Sequence, residues 1–376
     1  MRIVVVAGPG LVADTALLES LTATTCAELG VTGGLVTATS AEEVRALVTG
    51  AGPLVVALPG PTPEVRALIP TAPRTVVWYD LTVEPPVDGA AHLSGRGAWG
   101  LVWAVRHAVH RHRSPATRIG YGPHPQQWGE LRLPVGTAGP VPVAVLLHGG
   151  FWRSVWAADL MDALAVDLVD RGYASWNVEY RRPDRHGWDA TTGDVAAGVA
   201  ALGGLAADAG LDLGRVAVVG HSAGGQLALR VAADLAAGTE PGPAPAGGAA
   251  AGAPAVRVAL AVSLAGVLDL AEGERRYLGD GAIPAALGGT PATVPHRYAA
   301  ADPMARLPIR VPTLLVQGAA DSPDLVDVNR RYAAAARAAG DDVSHLERPG
   351  DHFDVIDPGS AVWRDTMTAV DRRLGR

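Results

Sequence analysis

The 376 residues contain no lysine, one cysteine and two phenylalanines, and no uninterrupted apolar run long enough to cross a bilayer. Each absence removes a class of protein. Without lysine every fixed cation is an arginine, and the formal net charge is −7, so there is no basic face to hold nucleic acid. The missing lysine, beside an excess of alanine, glycine, proline and arginine, reads as base-composition bias in the coding DNA. Cys26 alone can form no intrachain disulfide and no multi-cysteine metal site. A membrane span needs ~18 consecutive apolar residues, which no segment approaches. The apolar run at 3–7 stops at Gly8-Pro9-Gly10, too short for the core of a signal peptide and the right length for a buried strand. A cytoplasmic protein with no membrane partner is expected. The length exceeds one average domain, so two are predicted.

Residues 1–112 alternate short apolar runs with helical patterns. Strands are expected at 2–7, 33–38, 53–58 and 74–79, with helices near 14–29, 41–50, 62–69 and 98–112. Ser40 with Glu43 three residues on is a capping-box signature for the second helix. This alternation predicts an α/β domain with a small parallel sheet. Residues 113–130 are rich in turn formers (Gly122-Pro123-His124-Pro125) and are read as a linker. A second α/β domain, 131–376, follows. Its strands are expected at 131–135, 141–147, 173–179, 215–220, 256–264, 311–317 and 343–348, and its helices near 157–171, 189–208, 222–237, 323–339 and 360–374. Residues 238–255 are a low-complexity insert, expected to be a mobile surface loop.

The chemistry sits in the second domain. Val216 to Val219 is an apolar strand, followed by Gly220-His221-Ser222-Ala223-Gly224 and a helix. A serine on a tight strand-to-helix turn projects its hydroxyl into a cleft, and the strained turn needs small flanking residues. A chance Gly/Ser turn gives the same five letters; the strand before and the helix after argue against it. The amide of Ala223, at a helix N-terminus, points where an oxyanion would form. The strand 141–147 leads into His148-Gly149-Gly150-Phe151-Trp152, where Gly149, Gly150 and Phe151 offer further backbone amides for an oxyanion.

An acid and then a histidine should follow the serine. Asp321 lies on the loop after the strand 311–317 and is the preferred acid, with Asp324 second and Asp327 a nearby decoy. His352 lies in a loop before the last helix and is the preferred base, whereas His345 falls inside a strand. Ser222 is then the nucleophile, His352 the general base and Asp321 its orienting partner, with no metal or organic cofactor required.

Those motifs, with Glu179-Tyr180-Arg181, resemble α/β hydrolases of the esterase/lipase branch that includes the kynurenine formamidases, over residues ~121–376. The resemblance implies an esterase or arylformamidase acting on a small-molecule substrate. An acyltransferase or cyclising thioesterase would use the same three side chains, and a binding protein on a dead hydrolase fold would use none. Trp152, Trp156, Trp176 and Trp188 are expected to cluster, either as one wall of the cleft or as ordinary core; Trp152 and Trp188 are the substrate-binding candidates. Phe151 and Phe353 each adjoin a candidate catalytic element. Arg153, Arg181 and Arg182 are read as solvated surface cations before substrate ligands.

In the first domain, Gly8-Pro9-Gly10 lacks the further glycine of a dinucleotide loop. His107, His110 and His112 do not share one helix face, so a solvated basic face is expected rather than a metal site. Gly8-Pro9, Pro59-Gly60 and residues 95–100 resemble the type II 3-dehydroquinate dehydratases, which are flavodoxin-like. The lid after the first loop is missing, and the fourth strand ends Trp78-Tyr79-Asp80 where that family would place a histidine. The resemblance therefore implies a degenerate flavodoxin-like domain retained for homo-oligomer assembly.

Overall fold

The first apolar run, Arg2–Ala7, is strand β1 and buries every residue after Arg2. It belongs to the first of two compact units, Met1–Pro115 and Ala116–Arg376. The computed structural model describes residues 1–375 apart from 51, 53, 138 and 239–253. In the first unit β1 is joined by β2 (Thr32–Thr37), β3 (Leu54–Leu58), β4 (Val77–Asp80) and β5 (Ala91–Ser94). All pairings are parallel and the order is β2-β1-β3-β4-β5, the flavodoxin-like order. Central β3 is apolar and buried throughout, as a parallel strand covered on both faces must be. Ser40 caps the helix Ala41–Thr49 through Glu43 N at 3.2 Å. The Glu43 carboxylate reaches back to Thr39 N at 2.7 Å, one residue beyond the usual partner. A Cβ on Gly8 would lie 2.6 Å from Pro59 O, so that glycine allows the two loops to pack closely.

Strand β5 was not foreseen. Four residues carry too little periodicity, and the Pro85-Pro86 stretch before it reads as loop. The helix expected over 62–69 is α-helical only at Pro63–Arg66. His107 is buried rather than on a solvated face.

The second unit holds β6 (Thr117–Gly120), β7 (Trp128–Arg132), β8 (Val141–Leu147), β9 (Ala174–Glu179), β10 (Leu211–His221), β11 (Val258–Leu264), β12 (Thr313–Gly318) and β13 (Val343–Arg348). The order is β13-β12-β11-β10-β8-β9-β7-β6, parallel except where β7 pairs with β6 and β9. Strands β6 and β7 occupy the stretch read as linker. Its turn formers close an antiparallel hairpin, and the hairpin's strands are too short to announce themselves. Between β11 and β12 lie three short helices, Leu270–Arg275, Ala282–Leu287 and Pro295–Ala301, each under two turns and so without a readable period. Most of the low-complexity insert, 239–253, lies outside the described residues. One stretch, Trp188–Ala209, has the length and hydropathy to cross a bilayer. It is two helices, Trp188–Ala200 and Leu202–Ala209, and Trp188, Val195, Val199 and Leu202 are part of the core. Strands β8, β10, β11, β12 and β13 are neighbours, so the loops at their C-terminal ends meet along one edge, where open α/β sheets place their sites.

Candidate active site

Strand β10 delivers Ser222 to that edge. Ser222 has φ 53° and ψ −117°, and the helix Ala223–Ala236 starts on the next residue. The turn is too tight for side chains around it. A Cβ on Gly220 would lie 1.9 Å from Gly224 O, and one on Gly224 would lie 2.2 Å from Leu147 O. Backbone bonds hold the serine in this conformation: Ser222 N donates to Leu264 O at 2.8 Å, and Ser222 O accepts from Gly225 N at 2.9 Å. Ala223 N is one of the first-turn amides that helix geometry leaves without an intrahelical acceptor.

The turn after β8 packs against this elbow. A Cβ on Gly149 would sit 2.6 Å from His221 O and 2.8 Å from Ser222 Cβ, so only glycine fits. Gly150, Phe151 and Trp152 follow with φ 106°, 50° and 57°. Three successive left-handed residues turn the backbone sharply beside the serine. The turn rests on a buried polar base. Tyr180 donates its hydroxyl to His148 O at 2.7 Å, and its ring stacks on the His148 ring at 4.3 Å. Next to it, Glu179 pairs with Arg182 and accepts from the amides of Tyr180 and Ala158 at 2.9 and 3.0 Å. Burial pushes the Tyr180 phenol far above its ordinary value, so it stays a neutral donor.

The third part comes from the ends of β12 and β13. His352 Nδ1 lies 2.7 Å from Asp321 Oδ2. Asp321 also accepts from Gln317 Nε2 at 2.9 Å and from Ser322 N at 2.6 Å. Burial alone would raise the Asp321 carboxyl, but the hydrogen bond and charge of His352, with the Gln317 amide, hold it below its usual value. His221 Nε2 lies 2.9 Å from His352 O, and the two imidazoles are 4.7 Å apart. The residue beside the serine thus touches the histidine loop directly. Burial, then the charge of His352, push His221 down to about 3.

Asp324, the second-choice acid, is exposed and bonded to Arg276 at 3.0 Å, and Arg276 also holds Asp327 at 2.8 Å. His345 is a strand residue opposite Leu315, as expected. The substrate-binding candidates need correction. Trp152 and Trp188 are only 1% and 4% exposed, pack edge to face at 6.0 Å, and belong to the core. Trp152 Nε1 is satisfied by Gln226 at 3.2 Å, and Trp176 is core as well. The arginines also depart from a solvated surface. Arg182 is buried on Glu179, and Arg181 is paired with Asp194 through two bonds at 2.7 and 2.8 Å. Only Arg153 is exposed, and it donates to Gly279 O at 2.8 Å. Sequence reasoning passed over Gln317, whose signal was a polar side chain closing the apolar run Leu314-Leu315-Val316. Among the described residues no group of three His, Cys, Asp or Glu side chains is placed to hold a metal. In the first unit Asp80 is paired with Arg66 at 2.9 Å and with His92 of β5 at 2.8 Å.

Comparisons with known proteins bear on the fold and the family. Esterase LipC of Mycobacterium tuberculosis is 28% identical over 167 residues, which is 43% of this chain and 36% of that protein. The chain thus spans about a third of the length of that curated relative. Among solved structures, esterase B of Lactobacillus rhamnosis superposes with a TM-score of 0.58 at 19% identity, over 72% of this chain and 91% of that one. A bacterial heroin esterase superposes with a TM-score of 0.55 at 24% identity, over 69% and 84%. These structural likenesses show the fold. The sequence model of the BD-FAE family matches residues 130–332, more than half of the chain. The chain therefore belongs to the BD-FAE family, an α/β-hydrolase esterase family.

Proposed function

We propose that the second unit is a serine hydrolase that cleaves a carboxylic ester of a small molecule through an acyl-enzyme. His352 Nε2 takes the proton of Ser222 Oγ as the oxygen attacks the acyl carbon. Asp321, on Nδ1, fixes the tautomer that leaves Nε2 free to accept, and it stabilises the imidazolium. The amides of Ala223 and of the turn Gly149, Gly150 and Phe151 receive the developing oxyanion. His352 then gives its proton to the leaving alcohol, and water, deprotonated by the same imidazole, releases the acid. The reaction calls for no cofactor.

The observation that carries this reading is the His352–Asp321 bond on a loop held against His221, the neighbour of Ser222. Family membership and the names of the relatives support the ester over the amide. The N-formyl aromatic amine suggested by the formamidase resemblance loses its aromatic wall, since three of the four tryptophans are core. A fluorophosphonate probe and a panel of p-nitrophenyl esters against N-formyl aromatic amines test the proposal. Labelling at Ser222 with turnover of the esters is expected, and Ser222→Ala should lose several orders of magnitude in kcat. An unlabelled protein would point to a dead fold. Ester consumption that yields transfer products in place of the free acid would point to an acyltransferase.

The first unit is proposed to serve assembly of the chain with itself. Its outer strand β2 (Thr-Gly-Gly-Leu-Val-Thr) is largely exposed and has no charged residue to discourage edge pairing. Light scattering on the full chain should give a dimer or larger; a monomer at micromolar concentration sinks this reading.

A further inference from the structure

We propose that His221 is a positioning residue for the esterase reaction, holding the backbone of His352, and with it the general base, in register with Ser222. The inference rests on the serine-hydrolase reading above.

His221 ends β10 and is covalently next to the nucleophile, and its ring reaches the loop that carries His352. Its Nε2 lies 2.9 Å from the carbonyl oxygen of His352. A carbonyl can only accept, so Nε2 carries the hydrogen and Nδ1 is the bare nitrogen of a neutral ring. That Nδ1 is buried and has no hydrogen-bond partner among the described residues. A Cβ on Gly149 would come within 3.1 Å of it, so the oxyanion-side turn closes over this edge of the ring. Protonation would leave an N–H with nothing to receive it and put a charge on a ring whose centroid lies 4.7 Å from that of His352, the ring that must itself become a cation during turnover. The ring is therefore built to stay a neutral donor, which is what a fixed strut requires.

The need for a strut follows from the loop. Asp321 holds the His352 imidazole at Nδ1, but the backbone of residues 350–354 is otherwise bonded to the loop after β12, within itself and to residues 356–360. Ala320 N donates to Gly350 O at 2.8 Å, and Asp351 N donates to Asp354 Oδ2 at 2.7 Å. Neither contact refers the loop to the serine. The His221 bond does, because donor and nucleophile are consecutive residues and acceptor and base are the same residue. A misplacement of about 1 Å between reacting groups costs on the order of 10²-fold in rate.

A packing role is the alternative, since the His221 ring also lies 5.9 Å from Phe353. His221→Phe keeps a ring and removes the donor. His221→Gln removes the ring and keeps a terminal N–H near the Nε2 position. With the full-length chain and p-nitrophenyl acetate, H221F should lose about 10²-fold in kcat with KM nearly unchanged. Its rate of Ser222 modification by a fluorophosphonate should fall in parallel, and H221Q should recover most of both. Wild-type kcat in H221F overturns the proposal. So does equal impairment of the two variants, which would mean that the ring matters and the donor does not. If H221F does not fold, H221Q decides alone: near-wild-type kcat supports the strut, and a 10²-fold loss at unchanged Tm overturns it. A wild-type protein that the fluorophosphonate does not label overturns the hydrolase reading itself, and this inference with it.

Discussion

Asp321 and His352 lie 31 residues apart in sequence and share a 2.7 Å hydrogen bond at the ends of adjacent strands. The carboxylate accepts from Nδ1, so the free lone pair of the imidazole is on Nε2, the nitrogen a base needs. Asp321→Asn sets an amide against Nδ1 and favours the wrong tautomer, which in serine proteases costs about 10⁴-fold in kcat. A loss of that order is expected here on p-nitrophenyl acetate. Asp324→Asn should stay within about two-fold, because Asp324 is exposed and its partner is Arg276. The reverse pattern would move the acid to position 324.

Ser222 holds a left-handed φ of 53° without being glycine. Such a residue stores about 1–3 kcal/mol of strain. Ser222→Gly releases it, less about 0.5–1 kcal/mol for the freer unfolded chain. Urea unfolding should show Ser222→Gly roughly 1 kcal/mol more stable than Ser222→Ala, with both at background turnover. A less stable glycine variant would show that the elbow's strain lies elsewhere.

The candidate site was legible where the proposed chemistry imposes residue types in chain order. The glycines around Ser222, the two glycines after His148 and an acid preceding a histidine are demanded by backbone clearance and proton transfer, and the sequence carries them openly. The long apolar strands were equally plain. What stayed hidden was set by tertiary packing. Trp152 and Trp188 carry no mark that distinguishes a cleft wall from a core; only the fold packs the two rings together and sets Gln226 on the Trp152 indole N–H. Arg182 reads as a surface cation until Glu179 is seen beneath it. The hairpin of β6 and β7 and the three short helices before β12 are stabilised by neighbours rather than by their own periodicity.

Gly279 tests whether the short-helix region bears on the turn at 149–151, proposed to hold the oxyanion. It has φ +65°, and a Cβ there would come 2.5 Å from the Phe151 ring. Gly210 has φ +63° with open space around its Cβ position. Both alanine variants meet the same backbone strain, about 1 kcal/mol. Only Gly279→Ala must also displace Phe151. It should therefore lower kcat about ten-fold beyond Gly210→Ala, as expected for a shift of well under 1 Å in the oxyanion donors. Equal kcat in the two variants would show that Phe151 moves without carrying its backbone amide along.

Asp302 gives the protein a stability contribution that weakens as pH rises. It is only 3% exposed, and its carboxyl oxygens accept from Ala271 N at 3.2 Å and Met304 N at 3.1 Å. Burial raises its pKa to about 6, with the charge of Asp269 adding and the backbone amides opposing. The folded chain thus holds a proton between about pH 4 and 6 that the unfolded chain has released. Where the folded state binds more protons, stability falls as pH rises, so this contribution is complete below about pH 4 and lost by about pH 7. A carboxyl raised that far contributes roughly 3 kcal/mol at most. Asp302→Asn does not titrate and carries a constant offset from losing one acceptor. The stability of wild type minus that of Asp302→Asn should therefore drop by a few kcal/mol between pH 4 and 7, and then stay level. Asp321, whose depressed pKa acts with the opposite sign, is common to both proteins and cancels in the difference. Urea titrations at four pH values across this range measure it. A difference that is flat, or that grows with pH, would mean that Asp302 is ionised in the fold and that its two amide bonds outweigh its burial.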